Sequence, residues 1–146
     1  MYCTSEDIEK QITHDTLVQL TNDNPLQDAV DDSVTYEAIL YSSTLIDGYL
    51  SSRYDLPLNT RFPFLRIIAM DLSIYRLYGR RLPADMPEAI FKQYKEAIKT
   101  LEKIQKGTIT LEVETETNPK LIPTKEYITN KNPRDRRFNK EVLREY

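Results

Sequence analysis

Two residues of the chain, His14 and Cys3, belong to the types most often used for metal binding and nucleophilic catalysis, and each type occurs once in 146 residues. His14 lies in a predicted polar loop with no second His or Cys at a ligand spacing, which favours a solvated histidine over a zinc ligand. Cys3, near a terminus expected to fray, has no histidine or other base that the sequence assigns to it, so a nucleophilic role is not expected. A lone cysteine also leaves no internal disulfide and fits a reducing cytoplasm.

Other catalytic signatures are weak. The three glycines, Gly48, Gly79 and Gly107, are too far apart to form a phosphate-binding loop. Acidic pairs such as Asp31 and Asp32 resemble loop and helix-start charges; a glycosidase-type pair of carboxylates stays an open alternative, but no two acids are singled out for it. We therefore expect a protein that is not an enzyme and that has no cofactor and no metal.

One pair of charged residues falls on apolar helix faces. Asp71 projects into the apolar arc of a helix predicted over 63–79, and Arg53 lies mid-arc on a helix predicted over 34–54. A buried charge is costly unless it is paired, and arginine can give a carboxylate two hydrogen bonds. We therefore expect a structural, buried ion pair between Arg53 and Asp71, with Arg76 or a tyrosine hydroxyl as the alternative partner of Asp71.

Two short helices are predicted at the N-terminus. The spacing of Thr4 and Asp7 is typical of a helix start with Thr4 or Ser5 as N-cap. Asp15 is the predicted cap of a second short helix, and residues 28–33 are predicted to form an acidic loop.

Three longer helices follow, each with apolar residues at helical spacing. The middle one is apolar almost all round, which is typical of a helix covered on several sides. The predicted helices span 34–54 with Ser33 as N-cap, 63–79, and the segment from a capping box at Asp85–Glu88 to Lys106, closed by Gly107. The predicted polar stripe of the middle helix consists of Arg66, Ser73, Arg76 and Arg80.

Beyond Gly107 the spacing at which apolar residues recur changes from about 3.6 residues to 2 residues. Ile109, Leu111 and Val113 alternate with polar residues, as in a half-exposed strand. The expected fold is therefore mainly α: a small bundle of two short and three longer helices in residues 1–107, followed by an arm, residues 108–146, that is extended and strand-forming or partly disordered.

The net charge of −3 conceals a strong asymmetry. Residues 1–60 carry a net charge of −9, residues 61–106 carry +5 and residues 107–146 carry +1. If subunits pack head to tail, the acidic end of one faces the basic helix of the next. Neutralisation within one fold is the alternative.

Much of the basic charge forms a lysine row on the last predicted helix, which consists of Lys92, Lys95, Lys99, Lys103 and Lys106. Three interpretations stay open: a solvated face, an interface with an acidic neighbour, and a nucleic-acid surface, against which the pI of about 5.3 argues. The candidate interface residues are Lys92, Lys95, Lys99, Lys103, Asp28, Asp31, Asp32, Ile109, Leu111 and Val113. The tyrosines that could serve as interface anchors are Tyr2, Tyr36, Tyr41 and Tyr127.

Two stretches of the chain form an unusual combination of motifs. They read I-D-x-Y-L-x-x-R-Y-x-L-P-L over 46–58 and L-R-x-I-A-x-D-L-x-x-Y-R-L-Y over 65–78. Together with Met1–Ile8, they resemble the Mu-like prophage family of small virion proteins, which is similar to the helical head–tail connector, or adaptor, proteins of tailed phages. The likeness covers residues 1–107.

The resemblance implies a virion protein made in the host cytoplasm that joins a ring of identical copies beneath the portal. It implies contacts with portal and tail-side proteins around a channel through which DNA passes without sequence-specific contacts. No catalytic motif comes with it. No membrane partner is expected, because no apolar run approaches the roughly 20 residues of a membrane helix. The alternative is a small helical regulatory or nucleic-acid-binding module that uses the lysine row.

Overall fold

The structure, a computed structural model, describes residues 1–24, 28–58, 62–81 and 85–111. Within these ranges the chain forms helices and no strand, which confirms the predicted mainly α bundle of two short and three longer helices. None of these helices is long and apolar enough to cross a membrane. The helices are Ser5–Ile12 (α1), His14–Thr21 (α2), Asp32–Leu50 (α3), Pro63–Arg81 (α4) and Glu88–Gln105 (α5).

The first helix begins as predicted and the second does not. The Thr4 backbone N–H donates to Asp7 Oδ2 at 3.1 Å, and the Asp7 N–H donates to Thr4 Oγ1 at 3.3 Å, which is a complete capping box. The prediction of Asp15 as the second cap is wrong. Thr13, at φ 67°, both ends α1 and precedes α2 directly, so His14 is the first residue of a helix and does not lie in a loop.

Helix α3 begins and ends earlier than predicted. Its N-cap is Asp31, not Ser33: the Asp31 carboxylate accepts a hydrogen bond from the Ser33 backbone N–H at 2.9 Å and one from the Ser33 hydroxyl at 2.6 Å. At the other end, the backbone N–H groups of Arg53 and Tyr54 both donate to the Leu50 carbonyl at 2.9 Å. The chain therefore leaves the helix four residues before the predicted end at 54.

Helix α4 packs against all four other helices, which confirms its predicted central position. The prediction of Ser73 in its polar stripe is wrong, because Ser73 is fully buried. Its hydroxyl lies 2.7 Å from the Ala69 carbonyl oxygen and 2.9 Å from Ser42 Oγ, where α3 approaches α4 through small side chains. The other members of the predicted stripe are exposed: Arg66, Arg76 and Arg80.

Helix α5 ends where predicted, but its N-cap is not the predicted one. Gly107 has φ +80°, and the Thr108 N–H donates to the Lys103 carbonyl at 2.9 Å, which is typical of a glycine helix end. The N-cap is Pro87, which makes no side-chain cap hydrogen bond because proline has no side-chain acceptor. The predicted capping box at Asp85–Glu88 is therefore wrong.

After Gly107 the chain turns back onto the bundle. Leu111 is buried, and its N–H donates to the hydroxyl oxygen of the fully buried Tyr54 at 3.0 Å. Ile109 is half-buried and the threonines on either side of it are exposed, so the predicted alternation is present, but the prediction of a strand is wrong for 109–111. Val113 and the rest of the predicted arm lie outside the described residues. The core therefore extends at least to Leu111, beyond the predicted boundary at 107.

Candidate functional site

Asp71 has a different partner from the one predicted. Its Oδ1 accepts a hydrogen bond from Gln11 Nε2 of α1 at 3.2 Å, and no ion pair with Arg53 forms. Burial raises the pKa of the Asp71 carboxyl, and the hydrogen bond from Gln11 opposes that shift. Ser73 faces α3; since successive helical residues are rotated by about 100°, Asp71 two residues earlier points away from α3.

Arg53 lies instead at the C-terminal end of α5. Its Nη1 occupies the space that a β-carbon would take on Gly107, and its Nε is buried without a hydrogen-bond partner among the residues that the structure describes. Because α3 ends at Leu50, Arg53 sits in the following turn and not on the helical face used for the prediction. A guanidinium is favourable here, since the C-terminal end of a helix carries partial negative charge.

Arg76, the alternative predicted partner of Asp71, also has another contact. Its guanidinium carbon lies 5.0 Å from the centre of the Tyr41 ring, a cation–π contact between α4 and α3. Neither arginine of the predicted set therefore contacts Asp71.

The predicted lysine row is present on α5 and has an aromatic residue at its edge. Phe91 is 41% exposed, and Lys95 Nζ lies 4.2 Å from the centre of its ring. The Phe91 ring is backed by Tyr75 of α4, with ring centres 6.3 Å apart. Among the described residues, no carboxylate lies within 4.0 Å of the lysine ammonium groups. We call the exposed set the basic face: Phe91, Lys92, Lys95, Lys99 and Lys103.

A cleft of about 740 Å³ lies between the N-terminal segment, α3 and the start of α4. Asp7 is paired there with Arg66, at 3.7 Å, and Asp47 accepts a hydrogen bond from the Tyr2 hydroxyl. Asp32 makes no ion pair with any residue that the structure describes. We call this region the acidic cleft; the lining residues used below are Asp7, Asp32, Tyr36, Ile39, Asp47, Phe62 and Arg66.

The N-terminal segment that forms one wall of the acidic cleft is held in place. Burial, followed by the hydrogen bond to Asp47, raises the pKa of Tyr2 well above its usual value, so the hydroxyl stays protonated as the donor. Cys3 is buried and not part of a frayed terminus; its Sγ lies 3.9 Å from Ser73 Oγ. Burial raises the pKa of the Cys3 thiol to about 11, so the neutral thiol is the form present near neutral pH.

Among the described residues, no three His, Cys, Asp or Glu side chains are grouped so as to hold a metal ion. His14 is exposed, and its Nδ1 lies 2.8 Å from Glu9 Oε1.

The other predicted acidic positions differ from one another in their surroundings. Asp28 is exposed in a loop. Asp31 caps α3, and its pKa lies below the usual value because the Ser33 hydroxyl and the Val34 N–H stabilise the carboxylate. Asp32 alone of the three lines the acidic cleft.

The predicted interface positions after Gly107 are less available than expected. Leu111 is 4% exposed within the core of its own chain, so its assignment to an interface is wrong. Ile109 also packs against this core, and Val113 lies outside the described residues.

Of the predicted tyrosine anchors, Tyr36 and Tyr41 are exposed. Tyr2 is half-buried, and Tyr127 lies outside the described residues.

Sequence reasoning missed a charged cluster that joins the ends of α2 and α4. Arg80 donates to both carboxylate oxygens of Asp23, and Arg81 Nη1 lies 3.0 Å from Asp23 Oδ1. These contacts hold the pKa of Asp23 below its usual value. Part of the charge asymmetry is thus neutralised within the chain. The adjacent arginines were a visible signal, but nothing in the sequence links them to an acid almost 60 positions away.

The described residues therefore define a small α-helical bundle that carries a basic face on one helix and an acidic cleft built from three segments. Residues 2–126 match the family described as Bacteriophage Mu, Gp36. The match covers most of the chain, so the chain belongs to this family and is a Mu-like phage protein. It confirms the family resemblance and extends it beyond residue 107. No match was found among curated proteins.

Proposed function

We propose that this protein is a structural virion component: a head–tail connector, or adaptor, subunit that acts by ring assembly at the junction between portal and tail. The observation that supports this most directly is the presence of two oppositely charged surfaces, the basic face and the acidic cleft, on opposite sides of a bundle from a phage family.

The positions of the two surfaces follow from helix α4. Arg66 lines the acidic cleft, whereas Tyr75 stacks on Tyr94 of α5 with ring centres 3.9 Å apart. Nine residues at about 100° each amount to two and a half turns, so the two side chains leave α4 in opposite directions. Two different complementary surfaces on opposite sides favour head-to-tail contacts, which close into rings when the rotation permits.

In this proposal the protein works through contacts and carries out no chemical step, so it is not an enzyme and needs no cofactor. Complementary charge sets the orientation and the rate of association more than the affinity. The proposed partners are further copies of the chain, the portal and tail-side virion proteins, with DNA passing through the ring without sequence-specific contacts. The proposed location is the virion, after synthesis in the host cytoplasm.

Depletion of the protein during particle production tests this function. We expect DNA-filled heads that lack attached tails and are not infectious, and we expect the protein itself in purified wild-type particles by mass spectrometry. Re-expression of the wild-type chain is the control and should restore infectivity. Normal yields of infectious particles without the protein would contradict the proposal.

The exposed lysine row favours one second candidate, a nucleic-acid-binding module. Lysine side chains free of carboxylate partners are suited to phosphate contacts, and such binding falls steeply as salt rises. A mobility-shift assay on duplex DNA at low and moderate salt distinguishes the two functions. Tight binding that Lys95→Ala and Lys99→Ala weaken would favour the module, whereas the connector needs no such complex. The glutamates of α5 work against the module, because Glu88, Glu96 and Glu102 reduce the positive charge of the helix.

A further inference from the structure

We infer that the basic face of one copy docks into the acidic cleft of the next copy, with Phe91 as its apolar anchor. This inference rests on the proposed function and specifies the contact between neighbouring subunits.

The basic face combines one exposed aromatic side chain, which can serve as an anchor, with charged side chains around it. Phe91 is one of the large apolar side chains that the bundle leaves exposed, and the stack on Tyr75 limits its motion. Lys92 and Lys95 flank it with positive charge and with aliphatic stems that can cover apolar surface. Aromatic residues held in place and surrounded by polar contacts often contribute most of the energy of an interface.

The acidic cleft has complementary features. Ile39 and Phe62 contribute apolar side chains to its lining, and Tyr36, 55% exposed, stands at its edge. Asp32 and Asp47 supply negative charge. Arg66 and the N-terminal residue Met1 also line the cleft, and Arg66 is paired with Asp7. The volume of about 740 Å³ lies within the range of clefts that bury small ligands, roughly 300–1,000 Å³. One phenylalanine ring with two lysine stems is of that size.

The occupant is a second copy because the lysines of the basic face and Asp32 of the cleft are of opposite sign and lie on surfaces that cannot meet within one chain. The chain already neutralises Asp7 with Arg66 and Asp23 with Arg80. Asp32 in the cleft and the lysines of the basic face form no ion pair among the described residues. Tyr75 and Arg66, which mark the two surfaces, lie about 13 Å apart along α4 and on opposite sides of it, so one copy cannot fill its own cleft.

Cysteine cross-linking in assembled particles tests the contact. We would place Tyr36→Cys and Glu88→Cys in one full-length chain and oxidise particles that contain it. Glu88 is exposed one helical turn before Phe91, so this substitution leaves the anchor in place. Tyr36 lines the cleft, whereas the α5 site lies beside the basic face on the opposite side of α4. We therefore expect no link within one chain, because a disulfide needs Cα atoms about 4.4–6.8 Å apart. We expect a ladder of cross-linked multimers of this chain. The variants with one added cysteine should give no ladder. The pair Thr44→Cys with Glu88→Cys should also give none, because Thr44 is exposed on α3 outside the cleft.

Charge reversal in the same background tests the electrostatic part. Adding Lys92→Glu and Lys95→Glu should reduce the ladder at least several-fold, and adding Asp32→Lys to those changes should restore it. Restoration would not occur if the lysines acted only through folding.

The outcomes separate this inference from the proposed function. If the wild-type chain is present in particles but the Tyr36–Glu88 cysteine pair gives no ladder, or links only to other virion proteins, the docking is wrong and the connector function stands. If the wild-type chain is absent from particles, the proposed function fails and the inference fails with it.

Discussion

Gly107 meets two constraints at a single residue. Its φ of +80° is the left-handed region, which costs other residues about 1–2 kcal/mol. The Arg53 guanidinium also occupies the space that a β-carbon would need. We expect Gly107→Ala to lower the free energy of unfolding by at least this amount, measured by urea denaturation.

A second glycine provides the matched control for this substitution. Gly48 lies within α3, where a β-carbon would have open space. Gly48→Ala should raise the free energy of unfolding by roughly 0.5–1 kcal/mol. Equal effects at the two positions would contradict the assignment of Gly107 as a conformationally required glycine.

Asp71 and Asp23 should respond to pH with opposite sign. Burial raises the pKa of Asp71 above the unfolded value of 3.8, so the folded state binds its proton more tightly and loses stability as pH rises through the folded pKa. Asp71→Asn removes the charge and should increase stability at pH 7, with an advantage that shrinks as pH falls toward 4.

The pKa of Asp23 is lowered by Arg80 and Arg81, so its contribution is present above the unfolded pKa and is lost as pH falls through the folded one. Asp23→Asn should therefore decrease stability at pH 7 and have less effect in acid or in high salt. Urea denaturation of both variants at pH 7 and pH 4 checks the signs. The same sign for the two at pH 7 would contradict the contacts described for one of them.

At the residue scale, sequence predicts features whose partners lie within a few positions. The capping pair Thr4 and Asp7 and the helix end at Gly107 are of this kind. The partner of Asp71 depends on which face of α4 meets α1, and the position of Arg53 depends on where α3 ends. Neither is encoded in the local pattern, so the predicted ion pair was wrong although each residue does have a specific environment.

At the element scale, α3 and α4 approach closely through small side chains. Ala69 and Ser73 of α4 and Ser42 of α3 are fully buried where the helices meet. Ala69→Leu inserts volume into this contact and should destabilise the bundle by about 1–3 kcal/mol.

Thermal and urea unfolding measure that loss, and Thr44→Leu on the exposed side of α3 is the control. A change at an exposed site of this kind is usually within about 0.5 kcal/mol. If Ala69→Leu were equally mild, the close approach of the two helices would be contradicted.

Helix existence and order were predictable because apolar residues recur at helical spacing, and the nearly all-apolar pattern of α4 predicted its central position. The helix boundaries were less predictable from the sequence. Several residues near the start of α3 can cap a helix, and Asp31 rather than Ser33 does so because its carboxylate can accept from more than one donor. Ser73 was assigned to the polar stripe because its hydroxyl is polar, but the hydroxyl is satisfied inside the contact with α3.

At the scale of the whole molecule, the acidic cleft combines residues from three separate stretches of the chain, so no single sequence motif predicted it. The block charges did predict opposite electrostatic character for residues 1–60 and 61–106. The fold then divides those charges: the cluster around Asp23 and the pair of Asp7 with Arg66 neutralise part of them, and the lysine row is left exposed. Only the three-dimensional arrangement separates the charges used within the chain from those available to a partner.

The extent of the folded unit gives the last prediction. Leu111 is buried, and its N–H bonds to the hydroxyl of Tyr54, which the bundle encloses completely. Burial of a leucine contributes about 1.5–3 kcal/mol and a hydrogen bond about 1 kcal/mol. A chain cut after Gly107 should therefore be about 2–4 kcal/mol less stable than one cut after Leu111.

Urea denaturation of the two truncated chains measures the difference, and Leu111→Ala in the longer one should reproduce most of it. Tyr54→Phe in the longer chain isolates the hydrogen bond, because it removes the acceptor and leaves the Leu111 side chain in place. If both truncated chains were equally stable, residues 108–111 would belong to the arm, as the sequence pattern predicted, and not to the bundle. A measured difference of the expected size would place the end of the folded unit at or beyond Leu111. It would show that the Leu111 side chain, which follows the last helix, completes the core around Tyr54.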